Sequence, residues 1–211
     1  MPARESLPPS PIPAATVVHD TVRWLERAVI GLNLCPFAKA VHTKGQIHYV
    51  VSLSTDTVPL LQELVFELKA LEVHDPRSRD TTLLIAPDAL ADFLDFNAFL
   101  AQADAALARL GLEGTIQLAS FHPRYQFAGT DADDITNATN RAPYPTLHLL
   151  REASIDRAVE AFPEAELIYG RNIATLARLG ADGWAALRVG PTGGGACDPP
   201  GQPPGGDNQP S

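Results

Sequence analysis

Two histidines and three arginines lie in one stretch of the chain, residues 122–152. His122 follows a predicted strand, and His148 lies near the end of the stretch. Imidazole changes its charge near neutral pH, so either histidine is a candidate general acid or base. Pro123 holds the backbone of His122 extended and thereby restricts where the ring points. The alternative is that the His122 ring only hydrogen-bonds a loop carbonyl.

The residues after His148 suggest how its ring is oriented. We predict a helix that begins near Leu147. On that helix, Arg151 and Glu152 follow His148 at i+3 and i+4, on the same face. Glu152 would hold the imidazole in one tautomer or stabilise its charged form, and Arg151 would bind a carboxylate or phosphate. The alternative is a surface helix with one ion pair.

The local charge of this stretch favours an anionic ligand. The chain carries a net charge of −9, yet arginines are concentrated here. Guanidinium groups bind carboxylates and phosphates through paired hydrogen bonds. We therefore predict an enzyme that acts on a small anionic metabolite, unless the aspartates between 131 and 134 neutralise the arginines. The predicted ligand-binding residues are Arg124, Tyr125, Asn140, Arg141, Tyr144 and Arg151.

Cys35 is a further candidate catalytic residue, beside His122, His148 and Glu152. It precedes Pro36, and proline is favoured at the first position of a helix. If residues 36–41 form a helical turn, backbone N–H groups stabilise the thiolate and make it a nucleophile. If the chain stays irregular there, Cys35 is a small buried apolar residue.

The same groups allow two other hypotheses. A mixed sulfur, nitrogen and oxygen set would suit one transition-metal ion, although no closely spaced ligand pair supports it. The predicted metal ligands are Cys35, His122, His148 and Asp134. In the third hypothesis the protein is a non-catalytic binding or assembly module, with Tyr125 and Tyr144 as anchors.

Composition narrows the class of protein. The apolar fraction of 45% is enough for a folded core. The negative charge argues against nucleic acid as a partner, because phosphate binding needs a basic face. Only two cysteines occur, no apolar run is long enough to span a membrane, and the proline-rich start does not look like a signal peptide. We expect a cytoplasmic protein that binds neither nucleic acid nor membrane. We make no prediction of its oligomeric state.

Alternating periodicities predict the elements that position these residues. A β-α-β-α-β core predicts an α/β fold with a small sheet of three to four strands, and a ferredoxin-like α+β sandwich is the alternative. Ligands in such sheets bind beyond the carboxyl ends of the strands, so residues 122–146 should fold over that edge. Predicted strands are 47–53, 82–86 and 115–121, and predicted helices are 18–29, 60–71 and 88–110, the last capped by Asp88.

Domain boundaries follow from proline and glycine content. We predict a disordered proline-rich segment over 1–14, one globular domain over 15–189, and a disordered glycine- and proline-rich tail over 190–211. Within the domain, short helices over 172–179 and 182–188 should meet at Gly180.

Three strings in the domain resemble a known family. They are GLNLCPFA at 31–38, FHPRYQFAG at 121–129 and TNRAPYPTLHLLRE at 139–152. In these strings the chain resembles the bacterial family of unknown function DUF1415, over essentially all of residues 16–189. The resemblance implies a single domain, and it implies no reaction, cofactor or catalytic residue.

Overall fold

A four-stranded mixed sheet lies at the centre of the fold. The computed structural model describes residues 12–160 and 167–192. The strands are β1 (Ile47–Val51), β2 (Thr81–Ile85), β3 (Ile116–Phe121) and β4 (Thr146–Arg151). Their order is β1-β2-β4-β3; β1 and β2 are parallel, and β4 is antiparallel to both of its neighbours. The protein therefore has the α/β class that its sequence predicts.

Helices cover both faces of this sheet. The helices are α1 (Ala14–Trp24), continued by a π-helical turn (Leu25–Ile30), α2 (Ala38–Thr43), α3 (Thr57–Val73), α4 (Phe93–Arg109), a 3₁₀ helix (Ile135–Asn140), α5 (Glu152–Glu160) and α6 (Ile168–Ala186). The predicted break at Gly180 is present, since its φ of 68° and ψ of 176° interrupt α6. The predicted cap of α4 is wrong. Asp92, not Asp88, accepts hydrogen bonds from the N–H groups of Leu94 and Asp95.

Side chains on each strand alternate between two helical layers. Leu84 and its β4 partner Leu147 pack with α3 and α4 in the main core. Leu83, one residue earlier, packs with Val17 of α1 on the other face. Successive strand residues point to opposite faces, so the partner of Leu83, His148, lies on the α1 face.

The helix predicted to begin near Leu147 is instead β4. Leu147, Leu150 and Ser154 have helical spacing, but β2 and β3 pair with both edges of this segment. Those two ladders satisfy its backbone groups, and tertiary pairing outweighs local periodicity. As a consequence, Glu152 begins α5 and does not lie one helical turn from His148.

The topology combines two kinds of crossover. The β1-α3-β2 unit joins adjacent parallel strands, whereas β4 lies between the parallel strands of the β2-α4-β3 unit. In a ferredoxin-like sheet, both β-α-β units have another strand between their two parallel strands. Here only the β2-α4-β3 unit does, so the ferredoxin-like alternative is not adopted.

The described chain extends slightly beyond the predicted domain at both ends. Helix α1 already begins at Ala14. At the other end, the backbone N–H and the hydroxyl of Thr192 donate to Asp20 at 2.8 and 2.5 Å. Most of the two predicted disordered ends, residues 1–11 and 193–211, lies outside the described residues.

Candidate functional site

The long loop after β3 is held closed by its own side chains. The buried Asn137 carboxamide accepts from the N–H of Phe127 at 2.9 Å and from the hydroxyl of Thr130 at 2.8 Å. Its NH₂ group donates to the carbonyl of Asp131 at 2.8 Å. The loop is therefore ordered over the carboxyl edge of the sheet, and these polar groups form hydrogen bonds within the loop that stabilise its conformation.

Two of the predicted anion-binding arginines bind loop carbonyls. Arg141 donates to the carbonyls of Tyr125 at 3.2 Å and Ala132 at 2.5 Å. Arg124 donates to the carbonyl of Ala91 at 2.5 Å. These contacts attach the loop to itself and to the segment before α4.

Other predicted ligand-binding residues have similar structural partners. Asn140 donates to the carbonyl of Ser120 at 3.2 Å. The buried Tyr144 hydroxyl donates to Asp20 at 2.8 Å, and burial and that carboxylate raise its pKa. The Tyr125 ring packs between Phe93 and Phe127, with centroids 5.2 and 5.0 Å away. Tyr144 is therefore too buried to act as the surface anchor that the assembly hypothesis needs.

The buried His122 ring has both nitrogens occupied. Nδ1 accepts from the N–H of Arg124 at 3.0 Å, and Nε2 donates to the carbonyl of Leu90 at 3.0 Å. The ring packs against Phe93 and Phe96, with centroids 5.3 and 5.1 Å away. Burial lowers its pKa. This geometry is that of a loop histidine bonded to a carbonyl, which leaves no nitrogen for a substrate.

The His148 ring has a different environment, on the opposite face of the sheet. Its Nε2 lies 2.7 Å from the hydroxyl oxygen of Thr81, and that oxygen lies 2.6 Å from the carbonyl of Leu149. The Phe121 ring is 6.1 Å away between centroids. Burial lowers the pKa of His148 to about 4, so the ring is neutral at physiological pH.

A cavity of about 660 Å³, which we call the sheet cavity, lies on this face of the sheet. Its walls are largely apolar and include Trp24, Val29, Ile47, Phe121, Leu150 and Ile155. His148 and Cys35 also line it. The sheet cavity extends from the amino ends of β1 and β2, where Ile47 and Thr81 line it, to Phe121, the last residue of β3. Our prediction placed the site at the carboxyl edge, which the ordered loop covers.

Basic side chains outnumber acidic ones around the sheet cavity. The basic lining residues are Lys44, Arg77, Arg151 and Arg157, and Asp80 is the one lining residue with a carboxylate in the part of the chain that the structure describes. Arg77 pairs with Asp75 at 2.8 Å. Asp80 accepts from Ser154 at 2.6 Å, and Arg157 donates to the same Ser154 hydroxyl at 2.9 Å. The exposed Lys44 forms no ion pair with any described residue.

Arg151 binds the backbone on the α3 side and also lines the sheet cavity. Its Nη2 donates to the carbonyls of Leu71 and His74, the latter at 2.6 Å. Its Nε is buried and has no hydrogen-bond partner among the described residues. Arg151 is therefore a lining residue whose guanidinium is bonded on the α3 side, where its Nε is one unsatisfied buried donor.

Cys35 combines features of both alternatives considered for it. Helix α2 begins at Ala38, whose N–H bonds the Cys35 carbonyl at 3.2 Å, and the thiol accepts N–H bonds from Phe37 and Ala38. Burial outweighs these bonds and raises the pKa of the thiol. At neutral pH the group is therefore a thiol, half-buried in the wall of the sheet cavity.

The predicted metal ligands do not converge. Cys35 and His148 line one cavity, whereas His122 lies on the other face of the sheet. Asp134 caps the 3₁₀ helix by accepting from the N–H and hydroxyl of Thr136, both at 2.8 Å. Within residues 12–160 and 167–192, no three His, Cys, Asp or Glu side chains are grouped so that they could hold a metal ion.

Of the residues that line this cavity, sequence reasoning named Cys35, His148 and Arg151 as candidate site residues, and it missed the others. Thr81, Lys44 and Arg157 come from three separate elements, and no local pattern marks them. Thr81 lies 67 residues from His148 and reaches it only through strand pairing. The sequence signal that could have indicated β4, and with it the pairing to Thr81, is the short run of apolar residues after Pro145, which is typical of a central strand.

The fold and this cavity are those of an α/β protein with a ligand-sized cavity on one face of its sheet. The chain matches, over residues 16–186, the model of a family described as "Protein of unknown function (DUF1415)", and it belongs to that family. The sequence resemblance is thus confirmed. Comparison with curated proteins finds no match, and neither does comparison with solved structures. Among the described helices, none has the length and apolarity needed to cross a membrane.

Proposed function

We propose that this protein binds a small organic anion with an apolar body in the sheet cavity. The observation that carries this proposal is a volume of about 660 Å³ with largely apolar walls and an excess of basic side chains. Ligand cavities are commonly of this size and character. The anionic ligand expected from the sequence is kept, and its site moves from the loop to the sheet cavity.

Apolar walls and basic side chains have separate roles in this proposal. Burial of the ligand's apolar body against Trp24, Phe121 and Leu150 supplies affinity, at about 25 cal/mol per Å² removed from water. Lys44 and Arg157 are exposed lining residues, so they can reach an anionic group while it stays partly hydrated. The expected ligand is therefore amphipathic, with its charged group towards solvent.

The experiment compares ligands of one chain length and different charge. Decanoate, decanol and decylamine are titrated into the full chain, and binding is followed by calorimetry and amide chemical shifts. Decanoate should bind tightest and shift the amides of Trp24 and Leu150. Equal binding of decanol and decanoate would refute the anionic component, and no binding of decanoate would refute the proposal.

Charge-reversal variants locate the anionic group. Lys44→Glu and Arg157→Glu should each weaken decanoate binding by about tenfold, which corresponds to about 1.4 kcal/mol. Arg109→Glu is the matched control, since this exposed arginine lies at the end of α4, which packs on the other face of the sheet. If Arg109→Glu weakens decanoate binding as much as the other two variants, the effect is one of overall charge and the site assignment fails.

A catalytic use of the same cavity is a second proposal. It is favoured by the presence of a thiol, Cys35, and an imidazole, His148, in one ligand-sized cavity. The test is incubation with p-nitrophenyl decanoate. Attack of the thiol on the ester carbonyl would release p-nitrophenolate and leave a decanoyl thioester, which is visible by mass spectrometry and absent in Cys35→Ser. No acyl adduct on the wild-type chain and no release of p-nitrophenolate above the Cys35→Ser background would refute it.

A further inference from the structure

The hydrogen bonds around Thr81 assign the tautomer of His148. A hydroxyl has one hydrogen to donate. The 2.6 Å contact between the Thr81 oxygen and the Leu149 carbonyl oxygen requires that hydrogen, because neither oxygen otherwise carries a donor. The Thr81 oxygen must then accept from His148 Nε2, 2.7 Å away. His148 is therefore protonated at Nε2 and has a lone pair at Nδ1.

That Nδ1 has no hydrogen-bond partner among the described residues. The residues paired with His148 on either side are Leu83 and Ala119, whose side chains carry no donor. Phe121, which packs beside the ring, carries no donor either. His148 lines the sheet cavity, so a donor on a ligand in that cavity can bind this lone pair.

The tautomer is present under physiological conditions. Burial keeps the ring neutral well below pH 7, so the Nδ1 lone pair is not lost to protonation. Thr81 itself is buried and bound to the backbone, so it holds the ring rigidly. An acceptor fixed in this way is suited to recognition of a donor at a defined position.

We infer that the ligand of the sheet cavity carries a hydroxyl or N–H group on its apolar body, and that this group donates to His148 Nδ1. The inference rests on the proposed function and narrows its ligand class to organic anions with a hydrogen-bond donor away from the charged group. His148 is then a specificity-determining residue, and Thr81 is a positioning residue that acts through it.

The test compares decanoate with the series of its monohydroxy isomers, measured by calorimetry on the full chain. At least one isomer should bind about tenfold more tightly than decanoate, which is the size of one good hydrogen bond. In His148→Phe, which keeps an aromatic ring without the acceptor, this preference should vanish while decanoate still binds. If all isomers bind with the same affinity as decanoate, or if the preference for one isomer survives in His148→Phe, the inference is overturned. If decanoate and every isomer fail to bind, the proposed function fails with it.

Imidazole ¹⁵N spectra of the wild-type chain provide a readout that does not depend on a variant folding. We expect the His148 Nε2–H tautomer without ligand, and a shift of the Nδ1 resonance with the preferred hydroxydecanoate but not with decanoate. Thr81→Val should allow both tautomers of His148 and reduce the preference for one hydroxydecanoate isomer. Thr81→Ser, which keeps the hydroxyl, should restore the Nε2–H tautomer and the isomer preference. An Nδ1–H tautomer in the unliganded wild type, or an unchanged preference in Thr81→Val, would contradict the assignment.

Discussion

His122 and His148 lie on opposite faces of the central sheet. The His122 ring packs on Phe93 and Phe96 of α4, whereas His148 lines the sheet cavity with Phe121 beside it. The two imidazoles therefore cannot act on one ligand. Their substitutions should have separable effects, on stability for His122 and on ligand selectivity for His148.

Replacing His122 should mainly destabilise the fold. His122→Ala removes two hydrogen bonds and two aromatic contacts and leaves the Leu90 carbonyl without its donor. We expect a loss of about 3 kcal/mol in the free energy of unfolding, measured in urea. The control is His19→Ala on α1, where the side chain is 73% exposed and the change should stay within about 0.5 kcal/mol. A loss for His122→Ala no larger than the control's would contradict the structural role.

Protonation of the partly buried His148 makes stability depend on pH. Burial lowers its pKa from 6.5 to about 4 in the folded chain. Below pH 6.5 the unfolded chain takes up a proton that the folded chain resists, so the free energy of unfolding should decrease as pH falls from 6.5 towards 4. Urea midpoints at intervals between pH 7.5 and 4 measure this, and His148→Phe should show a shallower decrease. Identical slopes for the two proteins would show that His148 is not responsible.

Asp20 joins three distant parts of the chain. Burial alone would raise its pKa, but hydrogen bonds from Thr192 and Tyr144 and the charge of Arg23 lower it overall. Asp20→Asn should cost about 3 kcal/mol at pH 7, because the Arg23 charge and the donors lose their carboxylate. Tyr144→Phe, which removes one hydrogen bond, should cost about 1–2 kcal/mol.

The pH dependence of the Asp20 variant follows from the same shift. A lowered carboxyl pKa stabilises the fold above the unfolded value of 3.8, and this contribution is lost as pH falls through the folded value. The stability difference between wild type and Asp20→Asn should therefore shrink below about pH 4. A difference that stays constant from pH 7 to pH 3 would contradict the assignment.

A buried ion pair on the other face of the sheet allows a double-mutant test. Arg79 binds the carboxylate of Glu67 and donates to Thr82 at 2.8 and 3.0 Å, with both charged side chains nearly inaccessible. Removing one charge leaves the other buried and unpaired, so Glu67→Leu or Arg79→Met should each cost about 3–5 kcal/mol. The double variant Glu67→Leu with Arg79→Met should cost less than either single change. Additive losses in urea unfolding would show that the pair is not coupled.

The α/β alternation was predictable from the sequence because it is a local property. Apolar periodicity reports which face of a segment is buried, and it located β1, α3, β2, α4 and β3 to within a few residues. Gly111, placed just after α4, adopts a φ of 69° that glycine tolerates without strain. The strings around Cys35, His122 and His148 were likewise sufficient to recognise the family.

Tertiary structure decided the identity of β4 and the position of the sheet cavity. Residues 146–151 have helical spacing in isolation and become a strand because β2 and β3 offer hydrogen-bonding partners on both sides. That pairing carries His148 to the α1 face and brings Thr81 to its Nε2. A hydrogen bond between residues far apart in the chain depends on strand order and register. Neither property is encoded in the local pattern of either segment.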